Sequence, residues 1–220
     1  MEKADTPLAQ VRANIADACQ RARRDPGDVT LVAIGKHHPA DAIVPLLEQD
    51  HRDFGENRVQ EAQAKWSDLR ARYPDVRLHL VGQLQSNKAE DAAALFDVIH
   101  SLDRSSLVKA LGKAFDRTGR RVPCFVQVDI GAEEQKGGCA VSDLPALIEE
   151  ARAADIPLAG LMCVPPQGIE PAPFFALLDK LARDNGLDGR SMGMSGDYET
   201  AIMMGATHVR VGTALFGARD

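Results

Sequence analysis

The chain switches about eight times between short apolar runs, many of them β-branched, and longer stretches whose apolar positions recur at helical spacing. Few folds accept that pattern. A strand followed by a helix and another strand makes a parallel pair, because parallel neighbours need a crossover of roughly a dozen residues or more. Strand signals fall at 29–34, 53–55, 78–81, 98–101, 124–130, 158–164, 191–193 and 208–211, and helix signals at 39–49, 57–72, 87–95, 104–117, 144–153, 173–184 and 197–204. One more helix precedes them, with Leu8, Val11, Ile15, Cys19 and Ala22 on a single face and Asp25-Pro26-Gly27 as its stop. Eight repeats in roughly 200 residues predict a small α/β fold, a single (β/α)8 TIM barrel with an extra N-terminal helix; an open doubly wound sheet is the rival. The expected division is a single domain over 1–220, with the helix in 1–25 and the barrel in 29–217.

Composition narrows the function classes. At 220 residues, 45% of them hydrophobic and 26% charged, the chain is long enough for one substantial core. Its net charge of −6 is scattered, and no basic stripe interleaved with aromatics appears, so no nucleic-acid partner is expected. The Arg21, Arg23, Arg24 cluster completes a helix end, where cations are favoured. Residues 1–7 lack the apolar centre of a secretory signal and no run approaches membrane-spanning length, which predicts a cytoplasmic protein without a membrane partner. Cys19, Cys124, Cys139 and Cys163 form no Cys-x-x-Cys pair and read as reduced thiols. No metal site is expected either. The six histidines lack ligand spacing, and His37 and His38, adjacent on an extended strand, would point apart.

Unusual polar residues favour the barrel over the open sheet. Lys36, Asn57, His79, Ser101, Asp129, Ser191 and Arg210 fall at or near the carboxyl ends of successive strands, where a barrel builds its active site. Lys36 closes the most strongly strand-like segment, and a lysine held in apolar surroundings loses its proton easily and becomes a nucleophile for aldehydes. Read alone, it more often simply leaves the strand and reaches solvent. The stretch 191–199 and the following 209–217 carry Gly193, Gly196 and Gly212 beside Ser195 and Thr213. Ser195 there reads as the cap of a helix that holds Asp197 and Glu199 in its first turn and stops at Gly205. The same loops, after strands seven and eight, are a barrel's usual phosphate position. A phosphate cradle facing a lysine at strand one suits a phosphorylated aldehyde, of which pyridoxal 5′-phosphate (PLP) is the common biological one.

The residues 31–39, Phe54-Gly-Glu-Asn-Arg-Val-Gln-Glu61, His79-Leu-Val-Gly-Gln-Leu-Gln-Ser-Asn-Lys88, His100-Ser-Leu-Asp-Arg104, Gly160-Leu-Met162 and 191–217 occur in order over nearly the whole chain. In these the chain resembles the pyridoxal phosphate homeostasis protein family, whose barrel is similar to the N-terminal domain of alanine racemase. The resemblance implies that Lys36 forms a Schiff base with the cofactor aldehyde, that Asn57 lies beside the pyridine ring, and that Ser195, Gly212 and Thr213 make the phosphate site. It also implies that Arg210 meets the ring nitrogen. An always-charged donor there disfavours a protonated pyridinium, so the cofactor would be a poor electron sink.

Against the family pattern stand Gly35 for a frequent serine, Gln83 where a histidine or another residue is common, Asp129 for the usual asparagine and Gly196 for a frequent alanine. Asp129 is expected to pair with a neighbour. Glu56, Arg58 and Glu61 read as a solvated face at a helix start, and Asp103 with Arg104 as a helix-start pair. Met192 and Met194 read as packing, and 133–138 as an exposed loop whose Lys136 is a second candidate amine for the aldehyde. The expected function is that of a monomeric, non-catalytic carrier that holds PLP and supplies PLP-accepting apo-enzymes. The alternative is a PLP-dependent amino-acid racemase, which needs an acid/base on each face of the substrate carbanion. Tyr73 and Tyr198, the only tyrosines, are not evident second bases, and the chain stops at Asp220 without the second domain of alanine racemase. The barrel and Lys36 alone also allow a cofactor-free lysine aldolase.

Overall fold

Thr30–Ile34 forms β1, buried in all but its first residue, as a strand covered on both faces requires. The structure is a computed structural model that describes residues 6–133 and 137–217. After β1 come β2 (Asp53–Glu56), β3 (Arg77–Leu80), β4 (Val98–Leu102), β5 (Cys124–Gln127), β6 (Leu158–Met162), β7 (Gly189–Ser191) and β8 (His208–Val211). Neighbours in sequence pair in parallel, and β8 returns to β1 with Val32 opposite Arg210 and Ala33 opposite Val211. That last pairing closes the sheet into a TIM barrel and excludes the open-sheet rival.

The helices are α1 (Pro7–Arg21), α2 (Ala40–Leu47), α3 (Val59–Arg72), α4 (Ala89–Leu95), α5 (Ser105–Thr118), α6 (Leu144–Ala153), α7 (Ala172–Asp184), α8 (Tyr198–Met203) and α9 (Thr213–Phe216). Those from α2 to α8 bury an apolar stripe against the strands; α5 shows it most fully, with Leu107, Val108, Leu111, Ala114 and Phe115 inside. Each such large side chain contributes about 1.5–3 kcal/mol by leaving water. Helix α1 starts at Thr6, whose hydroxyl accepts the Ala9 N–H. It lies against α8, joined there by Asn14 to Tyr198 and by Arg21 to Glu199.

Several boundaries differ from the sequence reading, and the following differences have clear physical reasons. The apolar run 124–130 gives a strand only to Gln127, because β4 ends opposite Val126 and the edge beyond is taken by Cys139, whose carbonyl accepts the Asp129 N–H. Strand β7 stops at Ser191 because Gly193 turns to φ 93°, where a Cβ would lie 2.5 Å from that of Ala201. The single turn α9 gave no periodic signal, being too short to show one. Residues 134–136, and Lys136 with them, lie outside the described residues. Among the described residues no helix is long and apolar enough to cross a membrane, and no three His, Cys, Asp or Glu side chains are placed to hold a metal. All four cysteines are buried and unpaired.

Candidate functional site

Strand β1 delivers Lys36 to the barrel mouth on a tight turn. His38 N–H closes it on Gly35 O at 3.1 Å, with His37 at φ 65°. A non-glycine residue in that left-handed region costs about 1–2 kcal/mol. Two contacts from α3 hold it in place: His37 N–H donates to Glu61 Oε1 at 2.7 Å, and Lys65 Nζ donates to Gly35 O at 2.7 Å. His37 and His38 therefore do not lie on an extended strand as expected. His38 instead stacks on Phe216, with ring centroids 4.7 Å apart.

Lys65 also donates to Glu56 Oε1 at 2.8 Å, and Trp66 Nε1 donates to the same oxygen at 3.0 Å. The Glu56 side chain is 0% exposed and that of Lys65 8%, which corrects the reading of Glu56 as part of a solvated face. Strand β2 runs one residue further than expected and turns Glu56 inward toward α3. Burial raises its carboxyl pKa, opposed by the bonds from Lys65 and Trp66. For Glu61 burial also acts upward, but the His37 N–H and the Lys65 charge outweigh it and hold the group below its usual value.

Above the barrel lies a cavity of about 540 Å³, and Lys36, Asn57, Ser195, Arg210, Gly212 and Thr213 all line it. These are the six site residues read from the sequence. Asn57 is seated by Gly82, where a Cβ would come within 2.2 Å of the Asn57 carbonyl oxygen, so only glycine fits. Ser195 does not cap α8. It precedes the N-cap residue Asp197 by two residues, and its hydroxyl accepts the N–H groups of Gly212 at 3.2 Å and Ala214 at 3.4 Å. Asp197 takes the turn itself, accepting the Met194 N–H at 2.6 Å.

Arg210 rises from β8 into the cavity floor and is 5% exposed. Its Nη1 donates to Ser191 Oγ at 2.7 Å and its Nη2 to the Cys163 carbonyl at 2.9 Å. Burial pushes its pKa down. Among the described residues no carboxylate pairs with this guanidinium, Asp197 acting on it only through its charge, which is unusual for a buried cation.

Other polar residues expected at the mouth lie elsewhere. His79, His100 and Ser191 are fully buried and bonded to one another in the barrel interior, and Ser101 Oγ is buried without a hydrogen-bond partner among the described residues. Asp129 pairs with its neighbourhood, accepting the Glu133 N–H at 3.1 Å, and Arg104 bonds Asp103 at 2.5 Å at the start of α5. Met192 is buried as packing, while Met194 lines the cavity. Neither tyrosine does so: Tyr198 OH accepts from Asn14 at 2.9 Å, and Tyr73 lies beside Arg52 and Arg72.

Such a barrel, with its pocket between the ends of β1 and β8, is of the alanine racemase N-terminal kind. A family model described as "Alanine racemase, N-terminal domain" matches residues 7–220. The alanine racemase of Clostridium difficile 630 superposes with a TM-score of 0.72 over 98% of this chain and 57% of its own; at 15% identity that is a likeness of fold. In Pseudomonas aeruginosa, the protein named "Pyridoxal phosphate homeostasis protein" is 43% identical over 219 residues, 97% of this chain and 94% of its own. The chain belongs to the pyridoxal phosphate homeostasis protein family. The structure of PipY from Synechococcus elongatus PCC7942 with PLP bound is 38% identical, with a TM-score of 0.82 over 92% of this chain and 100% of that one.

Proposed function

We propose that this chain binds PLP reversibly through Lys36 and serves intracellular PLP homeostasis as a carrier rather than an enzyme. The observation that carries this reading is the single cavity in which a lysine, a buried guanidinium and a serine-glycine-threonine edge face one another. A bound PLP supplies an aldehyde open to an amine and a ring that stores electrons best when its nitrogen is protonated. The Lys36 amine would bond the aldehyde carbon, with loss of water. Asn57 would flank the ring, and Ser195, Gly212 and Thr213 would hold the phosphate, where the Gly212 and Ala214 N–H groups already converge. Room for it exists: a Cβ on Gly196 would meet nothing within 4 Å, and one on Gly212 nothing nearer than Ile34 at 3.5 Å. Arg210 would meet the ring nitrogen and disfavour a second positive charge on it. With no tyrosine lining the cavity, neither Tyr73 nor Tyr198 serves as the second proton carrier of a racemase.

The reading extends to a cytoplasmic monomer that releases PLP to apo-enzymes, and four buried free thiols accord with a reducing setting. The test is a visible spectrum of the protein with added PLP, then borohydride reduction and peptide mapping. A pyridoxyl group is expected on the Lys36 peptide and nowhere in Lys36→Ala. No adduct would overturn the reading and favour the lysine aldolase. Turnover of a free amino acid, abolished in Lys36→Ala, would move the assignment to a racemase.

A further inference from the structure

A line of polar side chains runs through the barrel interior, from the amino end of β2 to the cavity floor. Asp53 Oδ1 lies 2.9 Å from His79 Nε2, and His79 Nδ1 lies 2.9 Å from His100 Nε2. His100 Nδ1 lies 2.8 Å from Ser191 Oγ, which lies 2.7 Å from Arg210 Nη1. His79, His100 and Ser191 are 0% exposed. Barrel interiors are ordinarily filled by branched apolar side chains, and buried polar groups are costly unless each donor meets an acceptor.

The two ends decide the direction of every bond between them. Asp53 only accepts and Arg210 only donates, so with one proton on each ring the line runs one way: Ser191 Oγ accepts from Arg210 and gives its own proton to His100 Nδ1. His100 then carries its proton on Nε2 and donates to His79 Nδ1. His79 in turn carries its proton on Nε2 and donates to Asp53, a carboxylate that only accepts. In that arrangement both rings are Nε2–H tautomers, and no proton in the line lacks an acceptor. Burial, the largest influence on it, lowers the His100 pKa and favours its neutral form.

We infer that Asp53, His79, His100 and Ser191 are positioning residues for Arg210: a one-way hydrogen-bond chain that carries the influence of a distant carboxylate to a buried guanidinium and holds it charged beneath the cavity. The role of Arg210 toward a ring nitrogen rests on the proposed function; the chain itself does not. Asp53 is ionised by its surroundings. Burial acts upward on its pKa, but His79 and Arg77, the latter at 2.6 Å, outweigh it. The other titratable groups around it leave that carboxylate to these two. His51 Nε2 bonds the Asp53 backbone carbonyl, Arg52 pairs with Asp75 and Asp50, and His208 lies beside the His79 and His100 rings with Nδ1 on Thr207.

The test uses the PLP-free full chain with ¹⁵N-labelled histidine and arginine, and long-range proton–nitrogen NMR at neutral pH. His79 and His100 are expected as Nε2–H tautomers, assigned through His79→Gln and His100→Gln. In Asp53→Asn the end group both donates and accepts, so the His79 and His100 nitrogen signals shift toward a mixture and the Arg210 guanidinium signals move with them. Arg77→Gln, which removes the outer ion pair and leaves the chain, preserves the wild-type pattern and controls for loss of structure. An Nδ1–H tautomer at either histidine in the wild type, or Arg210 signals unmoved in both Asp53→Asn and Ser191→Ala, overturns the inference. These results stand whether or not the protein takes up PLP, so failure here is distinct from a missing adduct on Lys36.

Discussion

Removing the cation under the Lys36 turn tests how that turn is held. In Lys65→Met the Glu56 carboxylate, fully buried, keeps only Trp66 Nε1 as a donor, and the Gly35 carbonyl loses its bond from Lys65. Breaking a buried ion pair by deleting one partner destabilises by about 3–5 kcal/mol, because the remaining charge is left uncompensated. For a chain of this length the lower figure corresponds to roughly 6–12 °C in Tm. Glu56 also sets a pH signature. Its folded pKa is already raised, so the folded state binds the proton more readily than the unfolded one, and stability falls as pH climbs from the unfolded value through the folded one. Deleting Lys65 raises the folded value further, so the loss is larger near pH 8 than near pH 5, where Glu56 is easily neutralised. Glu56→Gln added to Lys65→Met should return part of the lost stability near pH 8. Urea unfolding at both pH values measures this. A loss below about 1 kcal/mol near pH 8, the level of an exposed pair, or a loss no smaller near pH 5, would refute the reasoning.

Gly82→Ala forces a methyl group to within 2.2 Å of the Asn57 carbonyl oxygen, so unfolding experiments should show a loss of about 1–3 kcal/mol, with weaker PLP retention on dialysis; wild-type values in both would show that the backbone there yields freely. Burial lowers the pKa of His51 to about 4 and that of His208 to about 3. The unfolded chain therefore binds more protons below about pH 6.5, and stability is lost as pH falls, by up to about 1.4 kcal/mol per pH unit for each histidine. His51→Gln should flatten the slope of urea midpoints between about pH 6.5 and 5, and an unchanged slope would count against its burial as the cause.

The barrel was legible because its information is local. Each strand run and each amphipathic stretch declares itself, and the boundaries of α6 agree with the sequence reading at both ends. The six cavity residues were found together through the family resemblance of the motifs that hold them; read alone, the residues gave only unusual polar groups at strand ends and a glycine-rich phosphate position. Glu56 was misread because a carboxylate beside Asn57 and Arg58 resembles a surface charge until Lys65 and Trp66, from α3, are seen to face it. Ser195 was misread because its true partners, Gly212 and Ala214, lie across the barrel seam from it. The Asp53 to Arg210 line is assembled from five strands, and no spacing along the chain encodes a bond between β4 and β7.

The pairing of β8 with β1 sets an order of events during synthesis. Lys36 leaves the ribosome early, whereas Arg210, Gly212 and Thr213 come from the last strand and the turn after it, and Val32 has no Arg210 opposite it until that strand docks. A growing chain thus exposes its amine long before it can enclose anything. Reactive aldehyde in the cell meets a finished pocket only after the ring is sealed. The growth of the bound-cofactor absorption band during refolding would then time the docking of the final strand, and a band that rose ahead of barrel closure would contradict that order.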